Sequence, residues 1–174
     1  MAVLIKGRYS MAMSTGLRSK VVKLGGATAL SIAMALLGGR EGVEGQKSTA
    51  YRDVGGVWTV CSGVTGPDVI PGKYYSDKEC DALLAKHLNP VKKAVDAAVK
   101  VPIDNYTRAA LYSFAYNVGV SAFKGSSLLR HLNAGNIDAA CDDLRQWVYV
   151  NKERNRGLIN RREIDRQLCL MGRS

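Results

Sequence analysis

The chain has 174 residues and a formal net charge of +10, enough length for one domain with a sizeable core or for two small lobes sharing a helix, and a charge that favours polyanions or anionic surfaces. Its four cysteines form no C-x-x-C pair, and its two histidines, His87 and His131, lie far from them, which argues against a zinc site; no metal or cofactor is expected. The absence of any nucleic-acid motif argues against DNA or RNA as the partner despite the charge.

That charge sits at the ends. Residues 1–40 carry six basic residues and no acid, residues 41–144 carry 11 basic and 12 acidic, and the last 30 carry eight basic and three acidic. The basic N-terminal flank precedes an apolar run at 24–39, LGGATALSIAMALLGG, which reads as an export signal. Sixteen helical residues span roughly 24 Å, short of a hydrocarbon core of about 30 Å, and starting at Val21 brings the length only to about 28 Å. Ten of the sixteen are Gly, Ala, Ser or Thr, so insertion is weak. With no small-x-small site just past the run, no cleavage is expected, the basic flank stays cytoplasmic, and everything after Arg40 lies outside the inner membrane, where disulfides form. The alternative is a buried core helix rich in Ala and Gly.

Glu44 and Asp53 follow, nine positions apart. A Gly55-Gly56 turn leads into the alternating run Val57 to Cys61, which reads as a small hairpin. Two carboxylates beside a hydroxyl at Thr59 are the minimum for acid and base work on a glycosidic bond. Solvated surface charges are the plainer alternative. A loop at Val64 to Tyr75 precedes Ser76-Asp77-Lys78-Glu79, a capping box that opens a long helix to Val99, kinked at Pro90. His87 falls on its apolar stripe as a packed residue. Asp104 caps a core helix running to Asn117 and Gly119. Shorter helices are expected at Ser127–Asn133, at Ile137–Val148 after an Asn136 cap, and at Asn160–Met171, with Asn151–Gly157 as a charged loop between the last two.

Taken together, EG-x4-AYRD-x2-GVWTVC-x-G-x-TG at 44–66, LYSFAYNVG at 111–119, SSLLR at 126–130, and CDDLRQW and GLINRRE near the end resemble the phage-type lysozymes of the endolysin family, most closely those of lambdoid phages with a signal-anchor-release N-terminus. The likeness covers about residues 21–172. It implies an α+β, lysozyme-like fold: a basic N-terminus and anchor at 1–40, then a catalytic domain at 41–174 made of a hairpin lobe (41–75), a connecting helix (76–99) and a helical lobe (101–174).

It also implies a muramidase that hydrolyses the β-1,4 bond between N-acetylmuramic acid and N-acetylglucosamine in peptidoglycan. Residue by residue, Glu44 is then the general acid, Asp53 assists the attacking water and Thr59 holds it. Glu41-Gly42 repeats the Glu-Gly pattern, but spacing favours Glu44. Burial in a cleft must raise the Glu44 pKa so that it keeps a proton to donate. If the course is inverting, the two carboxyl groups should stand roughly 6.5 to 9.5 Å apart. Val64 stands where many relatives have histidine, a departure expected to alter packing more than chemistry. Tyr116, Asn117 and Gly119 would line the glycan cleft, with Tyr116 alternatively in the core. Arg161 or Arg162 would pair with Glu44 or meet the peptide stem, or else face solvent; Trp147 is expected in the core.

The elements carrying the cysteines suggest Cys61 with Cys80 and Cys141 with Cys169, although four cysteines allow three pairings. The resemblance further implies a monomer tethered inactive in the host inner membrane by residues 21–39, facing the periplasm, and later released as a soluble enzyme. A lytic transglycosylase and a cationic membrane-permeabilising protein are the competing readings.

Overall fold

In the computed structural model, residues 13–173 are described apart from Gly25, Arg40, Glu41, Glu44 and Val54. The N-terminal stretch departs most from expectation. Instead of one apolar helix over 24–39 there is a shorter one, α2 (Ala29–Leu37), preceded by α1 (Thr15–Val22) in the basic flank. Thr28 sets the later start, because its hydroxyl accepts the Ser31 amide at 3.2 Å and caps α2. Nine residues rise only about 13 Å, and among the described residues no helix is long and apolar enough to cross a membrane. The spanning helix is therefore not formed here. Ile32, Ala33, Leu36 and Leu37 are buried in the main core instead, where the alanines let α2 lie close to its neighbours. Nor does the preceding flank stand apart: Met13, Leu17 and Val21 of the basic segment enter the same core, and the Met13 amide donates to Gln167 Oε1 at 2.9 Å.

The small lobe is a three-stranded antiparallel sheet of β1 (Lys47–Arg52), β2 (Trp58–Cys61) and β3 (Val64–Thr65) in that order, one strand more than the hairpin expected. Gly63 at φ 78 and Cys61 at φ 54 make the tight β2–β3 turn. Val60, Cys61, Val64, Val69, Tyr75 and Cys80 form a separate small core, so Val64 is a packing residue. Tyr75 ties the following loop down, its hydroxyl donating to the Asp68 carbonyl at 2.8 Å and accepting the Ile70 amide at 2.9 Å.

The connecting helix α3 (Asp77–Ala98) opens with both hydrogen bonds of the Ser76/Glu79 capping box and runs through Pro90 as one helix. It buries Cys80 and Leu84 at one end and Leu88 and Val95 further along, and so carries one lobe on the other. The Cys61–Cys80 disulfide (Cα–Cα 5.2 Å) fastens the sheet to its first turn. His87 is not packed into the apolar stripe: its Nε2 meets Asp68 Oδ2 at 2.8 Å and, with Lys86, pins the loop.

In the large lobe, α4 (Asn105–Val118) is buried from Ala109 to Ala115 and packs against α2 and α3. Asp104 caps it, accepting the Thr107 amide at 2.9 Å. Gly119 at φ 92 ends α4 and begins α5 (Val120–Lys124); α6 (Ser127–Asn133) follows. Two sequence boundaries need correction. The helix expected over Ile137–Val148 stops as α7 (Ile137–Asp143), followed by a 3-10 turn, and the Asn136 side chain does not cap it. The expected charged loop contains a hairpin, β4 (Tyr149–Val150) and β5 (Glu153–Arg154), whose turn residues Asn151 and Lys152 both have positive φ, as a two-residue type I′ turn requires. Asn155 then caps α8 (Arg156–Met171), four residues before the predicted start. A second disulfide, Cys141–Cys169, joins α7 to α8.

Candidate active site

Asp53 closes β1 in a turn that uses its own side chain. Oδ1 accepts the Gly55 and Val57 amides at 2.8 and 2.9 Å, while the Asp53 amide donates to the Val57 carbonyl at 3.0 Å. Gly56, at φ 77, supplies the bend. Two N–H donors on one oxygen fix the direction of the carboxylate. Among the described residues Oδ2 accepts no hydrogen bond, and the side chain is half-buried.

Thr59 is 4% exposed, and its hydroxyl donates to the same Val57 carbonyl at 3.1 Å. With its proton used there, Oγ1 presents lone pairs only. Tyr51 lies directly across from Thr59, and Thr65 on the other side, so the three share one face of the sheet.

Glu44 and the rival Glu41 lie outside the described residues. Their described neighbours are held by α2. The Val43 amide donates to the Leu36 carbonyl at 2.9 Å, and a Cβ on Gly42 would lie 2.4 Å from the Leu37 and Gly38 carbonyl oxygens.

Opposite the sheet lies the C-terminal end of α4. Tyr116 reaches across the lobes, its hydroxyl donating to the Ser62 carbonyl at 3.1 Å. Asn117 is exposed, and its Oδ1 accepts from Arg162 Nη2. Gly119 is exposed at the helix end. Neither arginine faces solvent. Arg162 is fully buried, pairs with Asp165, donates Nε to the Trp147 carbonyl at 3.2 Å and covers the Phe114 ring at 5.1 Å. Arg161 is also buried, with Nη2 3.5 Å from the Ser113 carbonyl. Trp147 meets Phe114 edge-on at 5.2 Å as part of the core.

A sheet lobe presenting a carboxylate and a hydroxyl, bridged by a long helix to a helical lobe whose core helix ends opposite them, is the layout of a lysozyme-type glycan hydrolase. The Phage lysozyme family model matches residues 41–165. A SAR-endolysin of Bacteriophage PS119 is 47% identical over 166 residues, covering 94% of this chain and 99% of that one. Among solved structures, the muramidase domain of SpmX from Asticaccaulis excentricus superposes with a TM-score of 0.72 at 29% identity, over 79% of this chain and 94% of that one. The active form of the P1 phage endolysin Lyz gives 0.71 at 26% identity, over 91% and 94%. The chain belongs to the phage lysozyme family.

Proposed function

We propose that this lysozyme, an endolysin of peptidoglycan for host lysis, works by direct displacement with Glu44, Asp53 and Thr59 as its catalytic residues. Glu44 gives its proton to the leaving sugar oxygen. Asp53 and Thr59 hold a water against the opposite sugar face, which inverts the anomeric centre and requires carboxyl groups about 6.5 to 9.5 Å apart. The carrying observation is the common use of the Val57 carbonyl by the Asp53 amide and the Thr59 hydroxyl, which supports a site built to hold water. A lytic transglycosylase needs no such site and leaves an anhydro sugar. Tyr116, Asn117 and Gly119 form the far wall of the glycan cleft.

The enzyme is exported uncleaved and tethered in the inner membrane by residues 21–39, then released into the periplasm as a monomer. Support comes from the weak apolarity of residues 24–39, of which ten of sixteen are Gly, Ala, Ser or Thr, and from the packing of α2, whose Ile32, Ala33, Leu36 and Leu37 are buried in the main core, a place a helix held in the membrane cannot occupy. Tethering thus withholds α2 from the core, and with it the contact that the Val43 amide makes on the Leu36 carbonyl.

Turbidity assays on purified cell walls test the roles. Glu44→Gln and Asp53→Asn should abolish clearing while Glu41→Gln retains it, and full activity in Glu44→Gln would refute the assignment. Mass spectrometry should find hydrolysed muropeptides without anhydro ends. Replacing several glycines and alanines of residues 24–39 with leucine should hold the protein in the membrane and delay lysis; unchanged timing would refute the tether.

A further inference from the structure

The β4–β5 hairpin and the start of α8 border a cavity of ≈ 230 Å³ lined by Arg145, Val148, Arg154, Ile159, Arg162 and Glu163. Its charges are unequally committed. Arg145 holds Glu163 through two bonds, Nε to Oε1 at 2.5 Å and Nη2 to Oε2 at 3.0 Å. Arg162 is bound to Asp165, Asn117 and the Trp147 carbonyl. Arg154 is exposed and forms no ion pair among the described residues. One guanidinium is therefore left uncompensated at the mouth of the cavity.

The surroundings suit an anion attached to something apolar. Val148 and Ile159 supply aliphatic lining. Tyr149 pairs with Arg154 in the hairpin register, so ring and guanidinium share one face of the ribbon, and the ring is 57% exposed. The cavity also adjoins the glycan wall, because Arg162 lines it while donating to Asn117 at the end of α4.

We propose that this cavity binds a carboxylate of the peptide branch that peptidoglycan carries on its muramic acid, with Arg154 as its bidentate partner and Tyr149 as its packing surface. The proposal rests on the peptidoglycan reading above. Arg154 differs from Arg161 and Arg162 in being exposed, whereas both of those side chains are buried.

The test compares initial rates of wild type, Arg154→Gln and Arg154→Lys on intact sacculi and on glycan strands stripped of peptide by an amidase. Removing one charge-assisted bond should raise KM on sacculi about tenfold with kcat unchanged, leave stripped strands unaffected, and be partly rescued by lysine. Equal loss on both substrates, or none on sacculi, overturns the proposal. If wild type cleaves only peptide-bearing wall, the isolated stem peptide should inhibit wild type about tenfold more strongly than Arg154→Gln, and equal inhibition overturns it. Wild type idle on both substrates would sink the peptidoglycan reading itself, a pattern distinct from any variant result.

Discussion

Gly42→Ala tests whether the last turn of α2 places the Glu44 segment. The added Cβ would lie 2.4 Å from the carbonyl oxygens of Leu37 and Gly38, and neither backbone atom can swing aside like a side chain. Gly42 is not among the glycines with positive φ, so the cost is steric rather than conformational. Relief requires lifting residues 42 and 43 from α2 and breaking the Val43–Leu36 hydrogen bond. Overpacking costs about 1–3 kcal/mol and the lost bond about 1, together about 2–4 kcal/mol or roughly 5–15 °C in melting temperature. Activity should fall further than stability, because misplacing a catalytic group by about 1 Å can cost on the order of a hundredfold. Calorimetry gives the first quantity, and wall-clearing rates well below the transition give the second. Gly26→Ala, with open space around the new Cβ, is the control and should melt and act as wild type. Wild-type melting and turnover in Gly42→Ala would refute the argument.

Other outcomes follow from single contacts. Thr59→Ala should lower kcat about a hundredfold with little change in KM, and Thr59→Ser should recover most of it; steady-state kinetics on sacculi check this. Asp165→Asn leaves Arg162 buried without its carboxylate and should destabilise by about 3–5 kcal/mol in urea titration. Replacing Cys61 and Cys80 by serine opens a 19-residue separation, a loss of about 3 kcal/mol read by calorimetry. Glu79 is held down to about 2 by the Ser76 amide, then by Lys73 and the Ser76 hydroxyl. A depressed carboxyl stabilises the fold above its unfolded pKa and ceases to do so as pH falls. Glu79→Gln should therefore flatten the acid loss of stability from its ordinary value of 4.5 down to about 2, measured as melting temperature against pH.

Where a signal is local, the sequence was enough. Ser76 and Glu79 start α3 by hydrogen bonds three residues apart, and Asp104 starts α4 the same way. Both disulfides join the elements on which their cysteines were read. Misreadings arose where a distant partner decides. His87 lies on an apolar stripe, yet Asp68, nineteen residues away, draws it outward. The 151–157 stretch reads as a charged loop because two-residue strands are too short to show alternation.

The motif around Asp53 and Thr59, followed in order by those at 111–119, 126–130 and near the end, pointed to the family, and the Asp53 turn itself, built from neighbouring amides and one carbonyl, is written in consecutive residues. Composition likewise showed residues 24–39 to be apolar and marginal for a membrane. It could not say what α2 packs on, that its Leu36 carbonyl receives Val43, that Arg162 is consumed by Asp165 and Asn117, or that Arg154 is left facing an open cavity. Those facts depend on which groups far apart in the chain are brought together and which ions are thereby neutralised, and only the tertiary structure decides that.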